Sequence, residues 1–417
     1  MSVEYSDRKH ASFDSERSEI DFTESDSALS HKADYQNRPQ HKSRRRFTTL
    51  HVASFVTLSA CLSAFTTLLL YRALSTSSHT RPDTSLNAIN NRTLGFEKVY
   101  SIGLSNHWHK RDAQSLSAQY IGFDITPVEG VRWEDIPKTE YPVGWHDPFP
   151  ASIGCWRAHL NVLSDIVTSG VSSALILEDD ADWDIFLKPQ LQEFARGALQ
   201  LQVDSSTHTS PYGDDWDMMQ LGGCEFRQAN HDNRYYLIEE DATVIPLENR
   251  HAQWFGPEEI PALNNTRTVF KYGYGTCTTS YAITAAAARK LLSSISLPPN
   301  VEESAIDRKY GRMCAHMAGE VPLNCYAVYP PLMGMHRFAG STKADSDVLD
   351  SDDEEEYDHP EYTLDIQFST SMNVAALNAG ASVVEAQCPD GAAVKEIEVG
   401  MKQEWSGSVR YIEPREM

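Results

Sequence analysis

From residue 98 onward, short apolar runs alternate with longer stretches in which apolar positions recur every three or four residues, the periods of buried strands and amphipathic helices. "KVYSIGL" (98–104) predicts a strand, "HWHKRDAQSLSAQY" (107–120) a helix and "FDITPVEG" (123–130) a second strand. Pro150-Ala151-Ser152 offers a cap for a helix that runs to Ser169 and stops at Gly170. "ALILE" (174–178) has the length and content of a buried strand, "DIFLKPQLQEFARGALQ" (184–200) reads as a helix, and "DWDMMQLGG" (215–223) as a strand ending in glycines. Later come the strand "SYAIT" (280–284) with Thr284 capping the helix behind it, the helix "AIDRKYGRMCAHM" (305–317) and the strand "CYAVYP" (325–330). Strand then helix, repeated, predicts an α/β fold whose mostly parallel sheet is covered on both faces.

The flanks behave differently. Residues 1–46 carry nine acids, nine Lys or Arg and no apolar period, so they read as a disordered cytoplasmic tail. Residues 47–71 contain no Asp, Glu, Lys or Arg. As a helix they cross roughly 30 Å of hydrocarbon, and Arg44, Arg45 and Arg46 just before them predict a single-pass transmembrane signal anchor of type II orientation. A Ser/Thr/Asn-rich stem at 72–95 then leads to a domain over 96–344. The acidic run 345–361 reads as a solvated linker, and 362–417 as a poorly ordered tail.

Composition narrows the function classes. A formal charge of −23 over 417 residues excludes nucleic acid as the expected partner, although ten of the acids are concentrated between Asp345 and Glu361. Past the anchor, six of the seven cysteines would face an oxidising lumen, where two sequons, Asn91-Arg-Thr93 and Asn264-Asn-Thr266, could be glycosylated. Up to three disulfides are possible, buried free thiols are an equal expectation, and no cysteine or histidine spacing suggests zinc. No P-loop, GxGxxG, GxSxG or HExxH motif is present.

The chemistry concentrates where the apolar run Ala174–Leu177 gives way to Glu178, Asp179 and Asp180. Ligands of open α/β sheets bind beyond the carboxyl ends of strands. Three adjacent carboxylates repel one another unless a cation neutralises them, and hard oxygen ligands suit Mg²⁺ or Mn²⁺. The alternative is a solvated acidic turn leading into the next helix, which Asp182 or Asp184 would cap.

"VYSIGL", "SIGCWRAHL" and "ALILEDD", with weaker matches at "SYAIT", Asp307 and "YPPLMGMHRFAGS", resemble glycosyltransferase family 25 over about residues 97–341. Gly103 stands where the family usually shows Asn, and Arg157-Ala158 replace its usual small residue and Ser. The resemblance implies a GT-A-type, Rossmann-like domain binding a UDP-sugar, with Mn²⁺ (or Mg²⁺) held by Glu178, Asp179 and Asp180. It implies an inverting hexosyltransferase, galactose being the favoured hexose and a glycan or glycoprotein the acceptor, in the Golgi or endoplasmic reticulum membrane with the catalytic domain lumenal. Donor contacts fall to Gly103, Arg111, Gly154, His159, His336 and Arg337. Asp307 matches the family's late acid and is the expected base, with Asp182 and Asp217 as substitutes. Two other readings remain open: a non-catalytic lumenal binding or scaffold protein of this fold, and a metal-dependent phosphohydrolase.

Overall fold

A computed structural model describes residues 85–142, 144–145, 149–202, 208–256, 263–296, 305–348, 356–388, 395–403 and 405–412. The expected tail, anchor and first part of the stem lie outside the described residues. No helix among the described residues is long and apolar enough to cross a membrane.

The strands are β1 (Lys98–Gly103), β2 (Thr126–Glu129), β3 (Ser173–Glu178), β4 (Ala181–Trp183), β5 (Met218–Gly222), β6 (Glu225–Gln228), β7 (Arg234–Glu239), β8 (Gln253–Phe255) and β9 (Arg267–Thr276). They continue with β10 (Ser280–Thr284), β11 (Cys325–Tyr329), β12 (Met333–Arg337), β13 (Gly340–Ser341), β14 (Asp358–His359), β15 (Tyr362–Thr363), β16 (Val383–Glu385), β17 (Glu396–Glu398) and β18 (Ser406–Tyr411). The helices are α1 (Trp108–Ile121), α2 (Ser152–Ser169), α3 (Leu187–Leu201), α4 (Ala285–Ser296), α5 (Ile306–Cys314) and α6 (Thr370–Asn378).

The main sheet runs β18-β7-β9-β11-β5-β10-β3-β1-β2. Its central part is largely parallel: β2, β1 and β3 pair in one direction and β5 pairs parallel with β11, while β10 is inserted antiparallel between β3 and β5. Beyond β11 the sheet turns antiparallel through β9, β7 and β18, so the expected mostly parallel sheet describes only the half that holds β1 to β3.

Alternation of side chains explains why the apolar run of β3 is unbroken. Ala174 and Ile176 enter the core shared with α2 and α4, whereas Leu175 and Leu177 enter the opposite core against α3. All four are fully buried. At roughly 25 cal/mol per Å² of apolar surface, each large side chain gains about 1.5–3 kcal/mol from this burial. Thr284 caps α4 as its position predicts, accepting from Ala287 N at 3.2 Å. Ser152 instead lies inside α2, whose cap position is Ala151 without a side-chain bond; Gly170, at φ +78, ends the helix.

Three boundaries are corrected. The domain begins before residue 96: Ile89 and Leu94 are fully buried against α3. The described residues between 362 and 412 do not form a loose tail, because β18 pairs with β7 over six residues and Leu377, Val384 and Ile397 build a small core with Phe186 and Phe368. The acidic run also holds structure near its C-terminal end, where β14 pairs with β13 from just before the run. Weak periodicity hid these elements because each is short and fully buries at most two side chains.

Candidate active site at the carboxyl ends of the parallel strands

β3 carries Glu178 to its carboxyl end, and the chain turns through Asp179 and Asp180 into β4. Gln114 of α1 fixes this turn, donating to the carbonyls of Glu178 (2.7 Å) and Ala181 (3.2 Å) while accepting from Ser101 Oγ (2.6 Å). β4 pairs with β12, and His336 N donates to Asp180 O at 2.7 Å, which brings the end of β12 beside the acids. The turn borders a cavity of about 350 Å³ whose lining includes Gly103, Lys110, Gly154, Cys155, His159 and the three acids. The segment Lys343–Val348 covers part of it.

Each acid has a partner. Glu178 accepts from Thr278 Oγ1 at 2.6 Å and lies 3.4 Å from His159 Nε2. Asp179 stands 3.1 Å from His107 Nδ1 and 4.0 Å from the buried Lys110 ammonium. The Asp179 bond raises the His107 pKa above its usual value, against the opposing effect of burial. Asp180 Oδ2 takes a 2.6 Å bond from Arg337, whereas Asp180 Oδ1 is buried without a hydrogen-bond partner. On the α2 side, burial pushes the Cys155 thiol well above its usual pKa, with Glu178 and Asp307 adding to the effect.

No family model matches the chain. Among curated proteins it is similar to procollagen galactosyltransferase 1 of Danio rerio, 27% identical over 143 residues, which are 31% of this chain and 22% of that protein. It is also similar to a probable inactive glycosyltransferase 25 family member 3 of Bos taurus, 24% identical over 214 residues covering 48% and 29% of the two chains. A third relative is procollagen galactosyltransferase 2 of Homo sapiens, 21% identical over 211 residues covering 43% and 32%. The chain is similar to members of glycosyltransferase family 25. It spans about a fifth to a third of the length of these proteins. A mannose-1-phosphate geranyltransferase structure from Thermus thermophilus aligns over 56% of this chain and 73% of its own at 11% identity, with a TM-score of 0.20.

The residues assigned through the family-25 resemblance divide in two. Gly103, Gly154, His159, Glu178, Asp179 and Asp180 converge on the cavity. The two glycines are required by close approach: a Cβ on Gly103 would lie 2.6 Å from that of Asp179, and one on Gly154 would collide with the Val131 carbonyl oxygen. Arg337 reaches the same turn through Asp180, and its Nη1 also donates to the Asp345 carbonyl at 2.8 Å.

The others are engaged elsewhere. Arg111 donates to the Gly103 carbonyl and pairs with Glu129 at 3.0 Å, so the inward cation of the Lys110–Arg111 pair is Lys110. His336 is buried, its Nδ1 bonded to Thr363 Oγ1 at 2.9 Å. Asp182 is fully buried and takes bonds from Thr363 Oγ1 (2.8 Å), Ser369 Oγ (2.5 Å) and Ser371 N (3.1 Å), which makes it a clasp for the C-terminal segment. Asp217 pairs with Lys290 at 2.7 Å. Asp307, in the first turn of α5, accepts from Cys277 N (2.8 Å) and Arg308 N (2.7 Å), so both of its oxygens already serve backbone amides. Cys277 itself is bridged to Cys224, and Cys314 to Cys325, whereas Cys155 is in no disulfide.

Sequence reasoning missed His107, Gln114, Thr278 and the segment 343–348. A Gln at a core-facing helical position is the one local signal; the rest depend on which loops meet.

Proposed function

We propose that this protein is an inverting glycosyltransferase that moves a hexose, with galactose favoured, from a UDP-sugar to a glycan or glycoprotein acceptor. The observation that carries the reading is the convergence of Glu178, Asp179, Asp180 and Lys110 on one cavity at the carboxyl ends of β1 and β3. That is where α/β sheets bind ligands, and some of the curated relatives are named galactosyltransferases.

The site fits a divalent cation. Asp180 Oδ1 is a buried carboxylate oxygen without a donor, and three acids meet at one cavity. Glu178, Asp179 and Asp180 would hold Mn²⁺ or Mg²⁺, which supplies Lewis-acid neutralisation of a diphosphate leaving group. Lys110 adds a positive charge to the cavity wall, and His107 fixes the Asp179 carboxylate. Arg337 orients Asp180 and ties it to the covering segment. Two disulfides are in keeping with a lumenal domain of a Golgi or endoplasmic reticulum protein anchored through residues 47–71.

The purified full chain, assayed across a panel of UDP-sugars with Mn²⁺, should release UDP from one of them, and Asp180→Asn should abolish release. Undiminished turnover by that variant would remove the metal assignment. A second reading, a non-catalytic member of the fold, is favoured by the Arg337–Asp180 pair and relatives named inactive. It predicts a UDP-sugar-dependent rise in melting temperature without UDP release.

A further inference from the structure

Cys155 and His159 sit one turn apart on the same face of α2, and the end of β3 brings Glu178 against them. Cys155 Sγ, His159 Nε2 and a Glu178 carboxylate oxygen all lie within 4.8 Å of one another. In a tetrahedral zinc site, bond lengths of about 2.0–2.3 Å place ligand atoms roughly 3.5 Å apart. The His159–Glu178 separation is already 3.4 Å, so the set closes by side-chain movements of about 1 Å.

We propose that Cys155, His159 and Glu178 form a Zn²⁺ site with one open coordination position facing the cavity. The surroundings are those of a ligand set. The hydroxyl of Tyr281 engages His159 Nδ1 at 2.9 Å and is itself 3.2 Å from that of Tyr310, which leaves Nε2 to face the carboxylate. Metal-binding histidines characteristically have the second nitrogen held in this way. Thr278 orients Glu178 through a 2.6 Å bond. All three ligand residues line the cavity, so the fourth position is open to water or a substrate oxygen.

The site differs from the three-acid set in chemistry. Sulfur and imidazole nitrogen favour borderline ions such as Zn²⁺, whereas carboxylates alone suit Mg²⁺ or Mn²⁺. Glu178 belongs to both sets, so Zn²⁺ bound at Cys155 draws that carboxylate away from Asp179 and Asp180. Sequence spacing could not reveal the site, because two ligands come from one helix turn and the third from a strand end nineteen residues beyond His159.

The test uses the purified full chain, loaded with Zn²⁺ and passed through metal-free buffer, with bound metal measured by mass spectrometry. The expected result is one Zn²⁺ per chain, retained by Asp180→Asn and Cys388→Ser and lost in Cys155→Ser and His159→Gln. With Co²⁺ in place of Zn²⁺, a near-ultraviolet thiolate-to-cobalt band should appear in the parent and be absent from Cys155→Ser. Because Ser is nearly isosteric with Cys, an unchanged melting temperature in the metal-free form shows that the loss is not misfolding. Failure of the parent to retain Zn²⁺, or an unaltered cobalt band in Cys155→Ser, overturns the proposal. Neither readout requires sugar transfer, so the result stands apart from the glycosyltransferase reading.

Discussion

Replacing Asp182 by Ala separates a structural carboxylate from a catalytic one. The side chain is fully buried in β4 and receives three donors from residues 363 to 371, so it fastens β15 and the start of α6 to the edge of the candidate site. Hydrogen bonds to a charged acceptor contribute about 1.5–3 kcal/mol each, and an orphaned buried donor costs about 1–3 kcal/mol. The three bonds share one network with His336 and Thr363, so their losses do not add fully. A net destabilisation of about 4 kcal/mol follows. At about 2 °C per kcal/mol for a domain of this size, the melting temperature should fall by about 8 °C. Hydrogen exchange should localise the loosening to residues 362–378, and Asp182→Asn should lose less, since hydroxyl donors can reorient to meet an amide. UDP-sugar binding by the folded fraction should be unchanged. A melting temperature within about 2 °C of the parent, together with abolished UDP release, would refute the structural role and return Asp182 to the chemistry.

Three further outcomes are expected. Burial raises the Asp184 carboxyl to about 7, while an unfolded Asp titrates near 4. The folded state is then the stronger proton binder across that window, so stability falls as pH rises from about 4 to 7; melting curves between pH 5 and 8 should show this slope, and Asp184→Asn should flatten it. Gly154→Ala forces a methyl group onto the Val131 carbonyl and should cost about 1–3 kcal/mol in chemical denaturation while weakening UDP-sugar binding, because α2 and the loop after β2 both border the cavity. Lys110→Ala should raise the UDP-sugar KM at least about tenfold, the equivalent of 1.4 kcal/mol, whereas Arg111→Ala, whose charge is spent on Glu129 and Gly103, should change it by less than about threefold. Equal effects of the two would show that the inward cation has been misassigned.

Much of the half of the domain that holds the site was legible before any fold was known. The run Ala174–Leu177 is apolar at every position because β3 lies between β1 and β10 with a core on each face, and the acids at its end announced where the cavity opens. Glycines at 103 and 154 were placed at the site from family likeness, and the close approach of the Asp179 side chain to one and of the Val131 carbonyl to the other supplies their physical reason. Less was visible for acids. Asp179 and Asp182 are alike in sequence context, yet one borders the cavity and the other is sealed under Thr363 and Ser369, a difference set by a segment about 180 residues away. The same holds for Lys110 and Arg111, adjacent on α1, whose hundred-degree separation around the helix axis directs one inward and the other toward Glu129.

By itself, then, the sequence determined the elements whose signal is local: strands from runs of apolar residues, helices from their period and stops, and a charge cluster at a strand end. Tertiary structure alone decided the antiparallel half of the sheet, the return of residues 406–411 to β7, and the covering of the cavity by residues 343–348. It also decided the meeting of Cys155, His159 and Glu178. Each of these rests on contacts between distant segments whose individual sequences are weakly patterned, so no local period could carry the information.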